Sequence, residues 1–273
     1  MTRTGFLERP DCRIHYQVAG SGPPIVFAHG LGGTYLSWWQ QVAYFANKYT
    51  CVVFSHRGFT PSSPVAPETV PDSYAEDLGA LIQHLGLADV CLVAQSMGGW
   101  SCLEYALREP ENVQALVMAC TAGPIDCRRI GGFADTFDKW LESSEKTAAS
   151  LQARDISVAS GERMEREQPA LARLYRQITE LTPAEYRAAL RVRLGQSRVK
   201  DPELLRRLPM PVFFLTGDED WVFPPAAGAA LAAMVPNGRA ACVKRAGHSV
   251  YFERAAEFNR LVHDFLKIAR GGE

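Results

Sequence analysis

The sequence predicts an α/β fold in which a mostly parallel central sheet is flanked by helices and interrupted by a helical insertion. Three observations support this prediction. Short apolar runs alternate with helix-like segments over most of the chain. A serine, Ser96, lies in a tight turn between one apolar run and one helix-like stretch. Between about residues 123 and 209 the strand signal disappears, and charged, alanine-rich stretches favour helices instead.

The predicted elements follow one another in a regular order. An opening hairpin is predicted over residues 5–18, with its turn at Pro10-Asp11. Apolar residues at helical spacing predict a helix that ends at Gly86. Core strands are predicted over residues 25–28, 51–54, 90–94, 115–119, 211–216 and 240–244. Such alternation is typical of a parallel sheet with helices on both faces, in which functional sites lie at the carboxyl ends of the strands.

Domain organisation follows from the place where the strand signal is lost. At 273 residues the chain is long enough for one large core with an insertion. We predict a core domain formed by residues 1–123 and 209–273, and a helical cap over residues 124–208. The alternative is that the helices of this segment simply pack on the core. Helices are predicted there over residues 133–150, 162–179 and 183–194.

Ser96 is the candidate nucleophile. A turn as sharp as this one needs small residues on both sides of the serine, and Ala94 and Gly98 provide them. The alternative is an ordinary turn between a strand and a helix. A serine hydroxyl becomes a good nucleophile only when a base takes its proton and an acid orients that base. The prediction therefore depends on finding both partners later in the chain.

Candidates for the acid and the base follow two later strands, in the chain order Ser, Asp, His that accompanies such a turn. Asp220 ends the carboxylate-bearing loop after the strand 211–216, and His248 follows the strand 240–244. Gly247 allows the chain before His248 to turn back toward the sheet. Asp126, shortly after the strand 115–119, is the alternative acid.

These segments resemble the α/β-hydrolase superfamily, in particular its lidded esterase, lactonase and carbon–carbon hydrolase branch. The likeness extends over nearly the whole chain and is strongest at residues 27–33, around Ser96, at 217–220 and at 247–253. The first segment is similar to the family's oxyanion loop. The resemblance implies that the backbone N–H groups of Leu31 and Met97 face the oxyanion of a tetrahedral intermediate.

One segment, residues 55–62, departs from the family pattern. Ser55 and Thr60 stand where the family usually has an acid and a glycine. That segment usually supports the upper edge of the sheet, so the departure concerns local structure more than catalysis.

The resemblance implies a serine hydrolase without a cofactor that cleaves a small carboxylic ester or lactone through an acyl-enzyme intermediate. Three alternatives stay open: hydrolysis of the carbon–carbon bond of a diketone-type substrate, perhydrolysis by the same triad, and a ligand-sensing receptor that keeps the fold and the triad. The expected substrate contacts are His29, Trp38 and Trp221, which adjoin the segments named above. For each of these side chains, packing in the core is the alternative.

Composition argues against several other classes of protein. A formal net charge of −1 indicates no basic face for nucleic acid. No stretch approaches ~20 apolar residues and the amino terminus lacks an apolar signal core, so we expect no membrane span and a cytoplasmic location. Seven cysteines without zinc-like spacing predict no metal site and fit a reducing compartment. Without a phosphate-binding glycine motif no cofactor is implied, and the expected partner is a small-molecule substrate. The oligomeric state is left open.

Overall fold

A computed structural model describes residues 2–271, and at its centre lies a sheet of eight strands. The strands are β1 (Arg3–Glu8), β2 (Arg13–Ala19), β3 (Pro24–Ala28), β4 (Thr50–Phe54), β5 (Val90–Gln95), β6 (Val113–Ala119), β7 (Val212–Gly217) and β8 (Gly238–Val243). Their order in the sheet is β1-β2-β4-β3-β5-β6-β7-β8. The pairs β1–β2 and β2–β4 are antiparallel, and every other pair is parallel. The predicted hairpin and the mostly parallel sheet are thereby confirmed.

Helices cover both faces of this sheet. Those of the core are α1 (Trp39–Phe45), α2 (Tyr74–His84), α3 (Gly98–Arg108), α8 (Ala227–Ala232), α9 (Val250–Glu253) and α10 (Ala255–Ala269); between β6 and β7 lie α4 (Ala134–Ala153), α5 (Gly161–Glu167), α6 (Pro169–Glu180) and α7 (Ala184–Gln196). Val26 and Phe27, neighbours on β3, are both fully buried but belong to different hydrophobic clusters. Side chains alternate between the faces of a strand, so both faces of the sheet are covered.

The single helix predicted over residues 162–179 was wrong, because the structure has two helices there. Pro169 begins α6, and Gln168 before it has φ −138° and ψ 58°, outside the helical region. A proline disfavours the helical conformation of the residue before it and donates no backbone hydrogen bond. The other two predicted helices of this segment correspond to α4 and α7, with small shifts at their ends.

The two ends of the segment between β6 and β7 run side by side. A parallel bridge joins Ile125, on the outgoing chain, to Lys200, on the returning chain. Ile125 and Leu205 are buried in the same cluster as residues of the sheet, so both ends of the segment pack in the core. None of the helices within residues 2–271 combines the length and the apolar character needed to cross a membrane.

Candidate functional site

Ser96 lies in the sharp turn between β5 and α3. Its φ is +49°, a left-handed conformation that few residues other than glycine adopt. Gly98 leaves no room for a side chain, because an added Cβ would lie 2.2 Å from the carbonyl oxygen of Ala28 on β3. Position 98 therefore has to be glycine because β3 lies against it. A collision with the side chain at residue 94 is not the reason. Ser96 stays partly exposed although both of its neighbours in the chain are buried.

Hydrogen bonds join Ser96 to His248 and His248 to Asp220. Ser96 Oγ lies 2.9 Å from His248 Nε2, and His248 Nδ1 lies 2.9 Å from Asp220 Oδ2. Since a carboxylate only accepts, Nδ1 carries the proton of the neutral ring and Nε2 is free to accept the hydroxyl proton. His248 and Asp220 are buried, so little water competes for these bonds. Three residues that follow three different strands thus meet at one edge of the sheet.

The turn after β7 holds the carboxylate of Asp220. Its Oδ1 accepts the backbone N–H of Val222 at 2.7 Å and that of Phe223 at 2.9 Å. These bonds hold the carboxylate in the orientation in which it meets the imidazole of His248.

The alternative acid, Asp126, is not brought to this site. Its side chain accepts the backbone N–H of Arg128 at 3.0 Å and so caps the short helix that begins at Cys127. The ring nitrogens of His248 are hydrogen-bonded to Ser96 and to Asp220 instead. Of the two candidate acids, Asp220 is the one that contacts the base.

A second buried acid, Glu253, fixes the loop that carries His248. Glu253 Oε1 accepts the backbone N–H of Gly247 at 2.6 Å, and burial raises the pKa of this carboxyl to about 7. From the other side, Gln95 Nε2 donates to the backbone oxygen of His248 at 3.1 Å. The sequence analysis did not identify Glu253. Its only signal was a charged residue at the end of the apolar run 250–252.

The loop after β3 passes beside Ser96. A Cβ added to Gly30 would lie 3.1 Å from the Cβ of Ser96, so the backbone of the loop lies against the candidate nucleophile. Within residues 2–271, no acceptor is hydrogen-bonded to the backbone N–H of Leu31 or of Met97. Two unused donors beside a serine are suited to binding an oxyanion. Their role remains a prediction.

His29 and Trp38, two of the expected substrate contacts, are buried in the interior, and their contact with substrate stays a prediction. His29 is fully buried; its Nδ1–H donates to the oxygen of Gly30 at 2.8 Å, and its Nε2 accepts the backbone N–H of His56 at 3.0 Å. Burial lowers the pKa of His29 to about 4, so the ring is neutral near pH 7. Trp38 is fully buried against Tyr251, with ring centroids 4.4 Å apart. Both side chains support the loops around the site from below.

Helix α6 lies against two loops of the site. The hydroxyl of Thr179 donates to the backbone oxygen of Gly32, in the loop after β3, at 2.9 Å. The hydroxyl of Ser249, next to His248, donates to the hydroxyl oxygen of Tyr175 at 2.9 Å. This helix therefore contacts both the predicted oxyanion loop and the loop of the base.

Helix α4 lies against the loop of the acid. The indole N–H of Trp140 donates to the backbone oxygen of Asp220 at 3.2 Å, and the hydroxyl of Ser144 donates to that of Trp221 at 2.6 Å. Trp221 itself is partly buried, and its contact with substrate remains a prediction. Sequence reasoning could not find these contacts, since the residues that form them are about eighty positions apart.

A cavity of about 50 Å³ lies between the segment that joins β6 to β7, including helix α4, and the loop after β7. Much of its lining is apolar, including Phe137, Trp140 and Phe223, and it also carries the charged side chains of Asp126 and Arg198. Trp140 and Phe223 each donate a hydrogen bond to Asp220, so the cavity lies beside the candidate acid.

Cys120, Asp220 and His248 offer possible metal ligands within 4.8 Å of one another. Burial raises the pKa of the Cys120 thiol well above its usual value, and metals bind the thiolate rather than the thiol. The carboxylate and the imidazole are already joined to each other and to Ser96. The group therefore fits a hydrogen-bonded series of Ser96, His248 and Asp220 with a buried thiol nearby better than a metal site.

Comparisons with known proteins agree with this geometry. The family model described as alpha/beta hydrolase fold matches residues 23–255. The 2-hydroxy-6-oxononadienedioate/2-hydroxy-6-oxononatrienedioate hydrolase 1 of Dechloromonas aromatica is 27% identical over 94% of this chain and 91% of its own. The 3-oxoadipate enol-lactonase 2 of Acinetobacter baylyi is 33% identical over 44% of this chain and 45% of its own. The structure of a bromoperoxidase from Bacillus anthracis superposes with a TM-score of 0.78 at 23% identity, covering 97% of this chain and all of the other.

Proposed function

Since the chain belongs to the α/β-hydrolase fold family, we propose that it is a serine hydrolase that cleaves a small carboxylic ester or lactone through an acyl-enzyme intermediate. The observation that supports this most directly is the hydrogen-bonded series Ser96, His248 and Asp220, with the serine partly exposed on a left-handed turn. The reaction needs only these groups, two backbone donors and water, so no cofactor is proposed.

Acylation begins when Ser96 Oγ attacks the carbonyl carbon of the substrate. As the new C–O bond forms, His248 Nε2 takes the hydroxyl proton and the carboxylate of Asp220 stabilises the resulting imidazolium. Negative charge passes to the carbonyl oxygen, toward which the N–H groups of Leu31 and Met97 donate hydrogen bonds. When this intermediate collapses, the bond to the leaving oxygen breaks and His248 gives that oxygen its proton.

Deacylation repeats these steps with water as the nucleophile. His248 takes a proton from water while the oxygen of that water bonds to the acyl carbon. The bond to Ser96 Oγ then breaks, and the proton returns to the serine. One water molecule is consumed for each ester bond cleaved, and the products are an acid and an alcohol, or one hydroxy acid from a lactone.

Experiments can distinguish two other candidate functions from hydrolysis of an ester or lactone. The enol-lactonase of A. baylyi supports a lactone substrate, whereas the D. aromatica hydrolase, which acts on an oxo-dienedioate, supports hydrolysis of a carbon–carbon bond beside a ketone. In the latter reaction the leaving group is a carbanion instead of an alkoxide. A ligand-sensing receptor with the same triad would cleave its ligand once or very slowly. Multiple turnover therefore distinguishes an enzyme from a receptor.

The test is a panel of p-nitrophenyl esters of graded acyl length, lactones and vinylogous 1,5-diketones, measured with wild type and with Ser96→Ala. We expect many turnovers per chain on an ester or a lactone, and a loss of about 10⁴–10⁶ in kcat for the variant. A fluorophosphonate should label wild type at Ser96. Turnover of the diketones alone would select carbon–carbon hydrolysis, and a variant with a tenth of the activity would remove Ser96 from the mechanism.

Ser143→Ala is the matched control. Ser143 is an exposed serine of α4, and among the described residues its hydroxyl bonds only to the backbone oxygen of Lys139. This variant loses a serine hydroxyl outside the site, so its kcat and its labelling should equal those of wild type.

A further inference from the structure

Arg198 is an arginine near the triad that lacks an ionic partner. Its guanidinium forms no hydrogen bond and no ion pair with any of residues 2–271. It stacks instead over Trp100, with Cζ 5.2 Å from the centre of the ring, and it lines the cavity beside Asp220. Trp100 lies on α3, the helix that begins two residues after Ser96, so Arg198 stacks on the same helix that follows the candidate nucleophile.

The surroundings of Arg198 make its charge costly. Burial lowers the pKa of its guanidinium, and Cys127 and Asp220 oppose that shift. The side chain nevertheless remains accessible to solvent. Together these two facts show that the guanidinium lies in a cleft that is open to solvent. It does not lie on an open surface. Arginine stays protonated in proteins, so this guanidinium offers a fixed positive charge to an anion that enters the cleft.

The backbone that carries Arg198 is held in place on both sides. The backbone N–H of Lys200 donates to the oxygen of Pro124, and the backbone N–H of Asp126 donates to the oxygen of Lys200, each at 3.0 Å. Before Arg198, the hydroxyl oxygen of Ser197 accepts the indole N–H of Trp100 at 2.8 Å. A group held in this way loses little conformational entropy when it binds a ligand.

The acid that lines the same cavity does not neutralise Arg198. Asp126 forms no ion pair with it within the described residues, and its carboxylate is not among the charges that shift the pKa of Arg198. One carboxylate oxygen of Asp126 instead accepts the backbone N–H of Arg128. Asp126 therefore leaves the guanidinium of Arg198 open to an anionic group from outside the chain.

We infer that Arg198 binds a carboxylate of the substrate, so that the enzyme acts on esters or lactones that carry a second, anionic acid group. The inference rests on the proposed function and names its substrate class. The planar guanidinium presents paired N–H groups that match the two oxygens of a carboxylate. A cavity of about 50 Å³ has room for a group of that size. Apart from Asp126, whose carboxylate caps a short helix, the rest of the lining is largely apolar, so the charge of Arg198 sets specificity.

Two esters of equal length test the inference: p-nitrophenyl valerate, which ends in a methyl group, and the mono-p-nitrophenyl ester of glutaric acid, which ends in a carboxylate. Wild type should prefer the anionic ester in kcat/KM. Arg198→Gln should lose about 10- to 100-fold on the anionic ester, mainly through KM, and change less than about twofold on valerate. Arg207→Gln, which changes an exposed arginine, should behave as wild type.

Calorimetric binding of free glutarate gives a readout that needs no turnover. Wild type and Arg207→Gln should bind it equally, and Arg198→Gln at least about tenfold more weakly. Equal binding of glutarate by all three proteins, or an unchanged ester preference in Arg198→Gln, would overturn the inference. The proposed function would still stand if turnover of the valerate ester depends on Ser96. Glutarate binding that depends on Arg198, without turnover or labelling of Ser96, would overturn the proposed function alone.

Discussion

Glu253 and Gly247 are joined by a hydrogen bond of 2.6 Å, from the backbone N–H of Gly247 to Oε1 of Glu253, one residue before His248. A buried acid thus holds the start of the loop that presents the base. Burial is the main cause of its raised pKa of about 7; Glu219 and Asp220 raise it further, and the bond from Gly247 and the charge of Arg254 oppose them. The loop of His248 is therefore fixed by a group that titrates close to neutral pH.

Replacing Glu253 by glutamine should change how stability depends on pH. The pKa of the folded state, about 7, lies above the ordinary 4.5, so the folded chain holds this proton more tightly than the unfolded chain. The resulting stabilisation is fully present below about pH 4.5 and is lost as pH rises through about 7. A shift of this size corresponds to about 3 kcal/mol. Glutamine keeps an acceptor oxygen for Gly247 but does not titrate.

Urea denaturation of wild type and Glu253→Gln at a series of pH values measures this effect. The free energy of unfolding of the variant, relative to wild type, should rise by about 3 kcal/mol between about pH 4.5 and pH 7.5. Glu257→Gln, at an exposed acid of α10, should show a nearly constant difference. A difference that stays constant for Glu253→Gln as well would show that this carboxyl titrates normally.

Asp220→Asn should cost about 10⁴ in kcat, because an amide at this position favours the wrong tautomer of His248. The expected loss falls on kcat more than on KM, since Asp220 orients the base rather than the substrate. Asp126→Asn is the comparison, and its kcat should stay close to that of wild type, because Asp126 caps a short helix. A severe loss in Asp126→Asn with a mild loss in Asp220→Asn would transfer the role of the acid to Asp126.

Two glycine-to-alanine changes on helices should have opposite effects on stability. Gly195→Ala, in α7, meets no atom within 4 Å and should stabilise by about 0.5–1 kcal/mol, because alanine is the better helix former. Gly98→Ala would place its Cβ 2.2 Å from the backbone oxygen of Ala28 and should destabilise by more than about 1 kcal/mol. Thermal denaturation measures both. A stable Gly98→Ala protein with normal kcat would mean that β3 and α3 can separate without disturbing Ser96.

An ion pair joins helix α5 to the loop that carries Asp220. Its loss should increase local unfolding of α5 and its surroundings more than it lowers the global free energy of unfolding. Arg163 Nε donates to Glu219 Oε2 at 2.8 Å, next to Asp220, and both side chains are partly exposed. Such a pair contributes about 0–1 kcal/mol, so Arg163→Gln should speed limited proteolysis of residues 154–168 by no more than about fivefold. In 1 M salt the difference from wild type should shrink. Arg154→Gln, which breaks an ion pair within the insertion, is the comparison; if it speeds this proteolysis as much as Arg163→Gln does, the effect does not depend on the contact with the acid loop.

The strands and the positions of Ser96, Asp220 and His248 after them could be predicted from sequence because their signals are local. The central strands β3 to β7 are apolar runs a few residues long, and the parallel arrangement brings the ends of β5, β7 and β8 to one edge of the sheet. Ser96, Asp220 and His248 each directly follow a strand or lie in the first loop after it, so predicting the strands also placed these residues. The break between α5 and α6 was also locally encoded, by Pro169, and was missed because the apolar spacing on either side is continuous.

The sequence by itself determined the alternation of strands and helices, the family and the three residues that meet at the ends of the strands. Only the tertiary structure decided which side chains around them face the cleft. It placed His29 and Trp38 in the interior, Glu253 behind the loop of His248 and Arg198 beside the acid. These outcomes depend on contacts between segments that are far apart in the chain. The exposure of a tryptophan, a histidine or an arginine is set by the elements that pack on it and not by its neighbours in sequence.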